Sequence, residues 1–322
     1  MNKKIYLVTK LFNVHDRLAS LELCNAIDQW IENGEIKGYD KCFLPYRDSN
    51  EKIKGKPNPN WEIFKLDCAQ MRNSDILLGY FDGPSYDSGI SFELGYSCTF
   101  GVSATLITTD YFQVIDENGP LSSISPLVSS MAQIIHVRNN EKQCLNYQEA
   151  QNELLEQART QIKNILVSAD FNMKHTICPD IKETRETCDF FIDRAFIKTE
   201  SGRLLLQKFT DELSDQGISF HIPSREESNN VSSLMKSVNT CKNILVHGDA
   251  WEVPVDSAIL QGMACGLDKS VILYSSRDYK LHQSDEFQLY KNSMLLGSAI
   301  KIINNLNLEV IQDHTRNPEA IR

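Results

Sequence analysis

Runs of aliphatic and β-branched residues alternate along the chain with stretches whose apolar positions recur at helical spacing. Ile5–Val8 reads as a strand. Asp16–Ile31 reads as an amphipathic helix with Asp16 as its N-cap, and Cys42–Leu44 as a second strand ended by Pro45. The stretch Arg47–Asn60, rich in Lys, Asn and Pro, reads as a loop, long for a compact domain. Trp61–Met71 has helical spacing, Asp75–Tyr80 is an apolar strand, Ser91–Phe100 a helix and Ala104–Thr108 a strand. Alternation of this kind predicts a parallel sheet covered on both faces.

A Glu- and Gln-rich helix, Tyr147–Val167, follows and reads as an arm or linker. Ser168–Thr187 has no period, which sets a domain boundary between 1–168 and 169–322. The pattern then restarts. Phe190–Asp193, Ile218–His221, Asn243–His247 and Ser270–Tyr274 read as strands; Gly202–Leu213, Val231–Val238 and Ser257–Cys265 read as helices. The expected fold class is α/β, with two tandem Rossmann-like or flavodoxin-like units, each a parallel sheet flanked by helices. Matched segments suggest an internal duplication. Asp75-Ile76-Leu77-Leu78-Gly79 matches Asn243-Ile244-Leu245-Val246-His247, Asp87-Ser88 matches Asp256-Ser257, and Gly95 matches Gly262.

The length of 322 residues leaves room for two domains. An apolar share of 41% and a charged share of 24% are those of an ordinary globular protein. No window approaches 18 uncharged apolar residues, so no membrane partner is expected. Lys and Arg total 33 against 43 Asp and Glu, a net charge of −10, which gives no reason to expect a nucleic-acid partner. The opening residues hold too short an apolar run for a signal peptide, and the expected location is cytoplasmic. Nine cysteines form no CxxC pair, and His175 and Cys178 have no second pair to complete a metal site. Reduced thiols are expected, with no metal and no cofactor.

The most informative segment is Asp82-Gly83-Pro84-Ser85-Tyr86-Asp87-Ser88-Gly89-Ile90-Ser91-Phe92-Glu93-Leu94-Gly95-Tyr96. It follows a strand and opens a helix, so it lies at the carboxyl edge of the sheet, where open α/β folds bind ligands. Glu93, between Phe92 and Leu94, is expected to enter a partly apolar pocket. On spacing alone two readings stand: a functional pair of acids, or Asp87 as a helix cap and Glu93 in a surface pair.

The run Asp87-Ser88-Gly89-Ile90-Ser91-Phe92-Glu93-Leu94-Gly95-Tyr96 resembles the active-site signature of the nucleoside 2-deoxyribosyltransferase family. Ile5-Tyr6-Leu7 with Phe12 resembles the family's opening strand and substrate-contacting loop. Asp67 matches the acid on the helix before the third strand, and Asn73–Gly79 the entry to that strand. The likeness covers roughly residues 3 to 135. It implies Glu93 as the nucleophile at C1′ of a deoxyribosyl group, Asp67 as the group that contacts and protonates the base, and Asp87 as a partner of the sugar hydroxyls. Tyr6 would orient Glu93, although a place in the sheet core explains it as well. Gly83, Ser88, Gly89 and Phe12 would line the substrate site. Where family members carry an Asn that reaches a neighbouring subunit's site, this chain has Ser122, with Asn118 nearby. Ser85 and Ser88 are candidates for a substrate's 5′-phosphate.

The implied activity is transfer of deoxyribose between bases, a step of nucleotide salvage, with nucleosides and nucleobases as small-molecule partners. Hydrolysis of 2′-deoxynucleoside 5′-monophosphates, cleavage of NAD, and non-enzymatic nucleotide sensing are the alternatives, and a homo-oligomer stays open. The second unit reads as a degenerate copy packed against the first. Met235 stands at the place of the base-contacting acid, and Leu260 and Gln261 near that of the nucleophile. His247, Asp249 and Asp256 could instead form a site of their own.

Overall fold

The structure is a computed structural model. It describes the chain except for residues 1, 11–13, 50–58, 82–86, 110–113, 117–118, 122–123, 138–145, 169–185, 250–252, 277–281, 284–287, 290–292, 309–310 and 312–322. Two parallel sheets, each flanked by helices, form two Rossmann-like units.

In the first unit, strands β1 (Ile5–Thr9), β2 (Ile76–Tyr80), β3 (Ser103–Thr108) and β6 (Ala132–His136) pair in the order β1-β2-β3-β6, all in parallel. All of β1 is buried, as expected of a strand covered on both faces. The expected strand at Cys42–Leu44 is only a flank to β1. Phe43 donates to the Ile5 carbonyl, Leu7 donates to the Phe43 carbonyl, and Tyr6 and Phe43 form an isolated bridge. Pro45 then opens a short helix, α2 (Pro45–Asp48), because its fixed φ suits a first helical turn. Arg47 and Asp48 therefore belong to a helix, not to the expected loop, and residues 50–58 lie outside the described part. A small hairpin, β4 (Val114–Asp116) with β5 (Gly119–Leu121), precedes β6.

The helices of the first unit divide between the two faces of its sheet. α1 (Val14–Glu32) and α6 (Tyr147–Val167) cover the outer face through Leu23, Ile27, Ala158, Ile162 and Leu166. Asp16 sits in the first turn of α1 rather than at its N-cap, since the helix begins at Val14. α6 is docked and is not a free arm. Its apolar residues recur every four positions on the face toward the sheet, and Arg159 and Lys163 reach Glu22 and Glu35 of the first unit. α3 (Pro59–Arg72), α4 (Ser88–Thr99) and α5 (Pro126–Met131) contribute to a core on the opposite side.

The second unit orders its strands β8 (Phe220–His221), β7 (Cys188–Ile192), β9 (Cys241–His247), β10 (Ser270–Tyr274) and β13 (Lys301–Ile303), again in parallel. Counting the Phe43 flank, both units have the flavodoxin-like order 2-1-3-4-5. A two-stranded ribbon, β11 (His282–Gln283) and β12 (Gln288–Leu289), lies apart from this sheet. The helices are α7 (Glu200–Asp215), α8 (Arg225–Ser228), α9 (Val231–Thr240), α10 (Val255–Gly266) and α11 (Ser293–Ser298), with a 3₁₀ turn at Arg194–Lys198. α7 covers the outer face through Leu206, Phe209 and Leu213.

The units share one core. Tyr6, Phe92 and Leu94 of the first lie in the same apolar cluster as Ile244, Ile259 and Met263 of the second. At its centre α4 crosses α10, glycine to glycine. A Cβ on Gly95 would stand 2.2 Å from the Ile259 carbonyl oxygen, and one on Gly262 would stand 2.1 Å from that of Phe92. Both positions need glycine for this close approach. The reciprocal contact equates Gly95 with Gly262. It equates the N-cap Asp87 with the N-cap Pro254, so Asp256 is not the counterpart of Asp87. It also shifts the expected strand match by one residue. Tyr6 and Leu77 pair across the first sheet as Phe191 and Ile244 do across the second.

Candidate active site

The first sheet and the two helices packed on it gather the side chains. β1 carries Tyr6, α3 carries Asp67, and α4 carries Asp87 at its cap and Glu93 in its second turn. α4 can bury nearly its whole length because Ser, Gly and apolar residues surround Glu93 on every side of the helix. Glu93 is 7% exposed and Asp67 2%. Tyr6 is fully buried and donates its phenolic hydrogen to Glu93 Oε1 over 2.7 Å. Phe43 stacks on the Tyr6 ring at 5.4 Å, which fixes the phenol from the other side.

Asp67 accepts a 2.5 Å hydrogen bond from Ser49. Ser49 is a site neighbour that sequence spacing does not disclose, because it follows α2 and meets Asp67 only through the fold. Asp87 caps α4: Oδ1 accepts from the Gly89 amide at 2.7 Å and from the Ile90 amide at 3.2 Å. The cap reading of Asp87 therefore holds, whereas Glu93 forms no surface pair. The Gly89 amide is engaged by the cap, and Ser88 is buried beside it. Phe12, Gly83, Asn118 and Ser122, like Ser85, lie outside the described residues.

Burial sets the electrostatics. Removal from water raises the Asp67 carboxyl to about 7, and the Ser49 hydrogen bond only partly opposes this. Burial first, and the Asp67 charge second, hold Glu93 well above the ordinary carboxyl range. The Tyr6 bond favours the ionised form of Glu93 and works against that rise, while the Asp87 charge adds to it. Tyr6 itself is held well above its usual value by burial and by the charges of Asp67 and Glu93. Two acids in a water-poor setting, one poised near neutrality, can divide the roles of proton donor and anionic partner.

The equivalent places of the second unit carry neither the acids nor the phenol. Phe191 stands for Tyr6, Leu234 for Asp67, Pro254 for Asp87 and Leu260 for Glu93. The expected counterpart Met235 is one residue off; its sulfur faces Cys98 Sγ at 3.8 Å across the unit boundary. Gln261 is fully buried and donates to Leu295 O and Ser298 Oγ, a structural role within its own unit. His247, Asp249 and Asp256 have separate partners. Asp249 accepts from Ser276, Asp256 from Ser125, and the His247 ring packs on Phe196 at 4.7 Å.

A doubly wound α/β unit with a buried carboxylate pair between its sheet and two helices is thus the class that the first half defines. The model of the nucleoside 2-deoxyribosyltransferase family matches residues 5–146, which span every candidate site residue of this unit, and the N-terminal half is similar to that family. A solved structure, a conserved protein from Enterococcus faecalis V583, is 20% identical over 50% of this chain and 99% of its own, with a TM-score of 0.35. No curated protein matches the chain. The seven described cysteines are free thiols. Among the described residues no helix is long and apolar enough to cross a membrane.

Proposed function

We propose that the first unit cleaves the N-glycosidic bond of 2′-deoxynucleosides and transfers the deoxyribosyl group to another base. The reading rests chiefly on one observation: Glu93 is buried on α4, oriented by the Tyr6 hydroxyl, beside a second acid poised near pH 7. The family likeness of residues 5–146 supplies the substrate class.

Breaking the C1′–N bond develops positive charge on the sugar. The two acids share one proton as a coupled pair; when it sits on Asp67, the Glu93 carboxylate meets that charge and bonds C1′, as the nucleophile does in retaining glycosidases. The bonding pair leaves with the base nitrogen, which takes the proton held by Asp67. A second base then attacks C1′, Glu93 departs as carboxylate, and the incoming base returns a proton to Asp67. Water in place of that base gives hydrolysis. Asp87 fixes the start of α4, and with it the position of Glu93, through its cap. Free thiols suit a reducing, cytoplasmic setting.

Incubation with 2′-deoxyadenosine and a free pyrimidine base, followed by chromatography, tests the proposal. Base exchange that is lost in Glu93→Ala is the expected result. Free deoxyribose without exchange redirects the reading to a hydrolase, and deoxyribose 5-phosphate from 2′-deoxynucleoside 5′-monophosphates to a nucleotide hydrolase. An unchanged Glu93→Ala enzyme overturns the mechanism.

A further inference from the structure

The second unit has a cavity at the places equivalent to the acids of the first. A space of about 980 Å³ opens at the carboxyl end of β7, and Phe191, Leu234 and Leu260, three of the four replacements named above, line it. The first unit closes the other side with α5, through Leu127, Ser129 and Ser130. This volume lies at the upper end of the range for small-molecule sites, and an apolar wall with convergent polar groups is their usual make-up.

In a chain of net charge −10, three cations line this one space: Arg194, Lys198 and Arg225. Two carboxylates also line it, and both are engaged. Asp193 accepts from the Ala195 and His247 amides, tying the ends of β7 and β9 together. Asp256 accepts from Ser125 and pairs with Lys198 at 3.6 Å. Arg194 donates to the Pro223 carbonyl, which places its guanidinium along the wall. The Arg225 side chain forms no hydrogen bond or ion pair among the described residues. Two guanidinium groups are thus left to serve an anion, and such groups match phosphate oxygens in shape as well as charge.

We propose that this cavity binds a nucleoside monophosphate without turning it over. Arg194 and Arg225 hold the phosphate, the hydroxyls of Ser129 and Ser130 face the sugar, and the base lies against Phe191, Leu234 and Leu260. No acid stands at the position equivalent to Glu93, so the bound molecule keeps its glycosidic bond. The inference is independent of the chemistry proposed for the first unit.

Calorimetric titration of the full chain with AMP, with adenosine and with ribose 5-phosphate tests it. AMP is expected to bind at least tenfold more tightly than either fragment. Arg225→Glu is expected to weaken AMP at least tenfold while leaving base exchange at the first site unchanged. Glu93→Gln is expected to retain AMP binding, which separates this site from the first. Ser129→Glu, which sets a carboxylate on the opposite wall, repeats the test should Arg225→Glu fold poorly. The proposal is overturned if AMP does not bind or binds no better than its fragments. It is equally overturned if neither charge change weakens binding, or if Glu93→Gln abolishes it.

Discussion

Across the first sheet the register row runs from Tyr6 to Leu77 to Ala104; across the second it runs from Phe191 to Ile244 to Val271. The backbone path is shared, and the hydroxyl that reaches Glu93 is not. The same holds where Asp67 faces Leu234, Asp87 faces Pro254 and Glu93 faces Leu260. A scaffold that carries apolar groups at all four places does not require acids there to form. Buried carboxyls also cost stability at neutral pH, because desolvation opposes their charge. Their presence in one unit alone is what the proposed chemistry calls for and what packing does not.

The sharpest way to break this contrast is to remove its centre. Glu93→Ala is expected to lower base exchange by about a hundredfold or more, the scale of a lost nucleophile. Leu260→Ala in the second unit should leave turnover of the first within a few-fold. Equal losses in paired kinetic assays would show that the site spans both halves.

Stability against pH comes next. The folded-state value of Asp67 is raised to about 7 from an ordinary 3.8, so the native state holds this proton where the unfolded chain has released it. The contribution is therefore full below about pH 4 and is lost as pH rises toward 7. Asp67→Asn is expected to flatten that slope and to stabilise the fold above pH 7 by roughly 4 kcal/mol, read from urea unfolding at pH 5 and pH 8. A parallel slope in the variant would remove Asp67 as its source. The second unit has Leu234 here and should give no such slope at the equivalent place.

Where the units agree, substitutions should act alike. Gly95→Ala and Gly262→Ala each drive a methyl group into a carbonyl of the opposing helix, and each is expected to cost about 1–3 kcal/mol in denaturant unfolding. A large cost on one side only would break the equivalence of the crossing. The smallest effect expected is that of Tyr6→Phe, which gives the first unit the residue of the second. Loss of the donor removes the contact that favours the Glu93 carboxylate, so the acidic limb of the pH–rate profile should move to higher pH, with turnover down about tenfold. An unmoved limb would assign Tyr6 to packing alone.

The alternation of strand and helix is plain in the sequence because β1, β2, β3, β9 and β10 are short apolar runs, and their places in the fold follow from it. The edge strands β6 and β13 escaped that reading. They are half-exposed, with partly polar sequences such as Ala132-Gln133-Ile134-Ile135-His136, so neither alternation nor a continuous apolar run marks them. Phe43 gives the opposite error, a strand-like triplet that tertiary context limits to a single bridge. The acids Asp67, Asp87 and Glu93 could be read from a motif. Ser49 could not, since no spacing relates a residue after α2 to one on α3. Nor could the cavity of the second unit, because its lining comes from Ile124–Ser130 and Phe191–Leu260, segments far apart in sequence.

The crossing of α4 and α10 lies within one chain, and this has a consequence for what each half can become. In a symmetric pair of identical subunits every substitution appears twice, once on each side of the axis, so a change that suits one pocket is imposed on both. Here each side of the axis is written separately in the sequence. Dilution cannot part the halves, and a carboxylate can be kept in one pocket while its counterpart is a leucine.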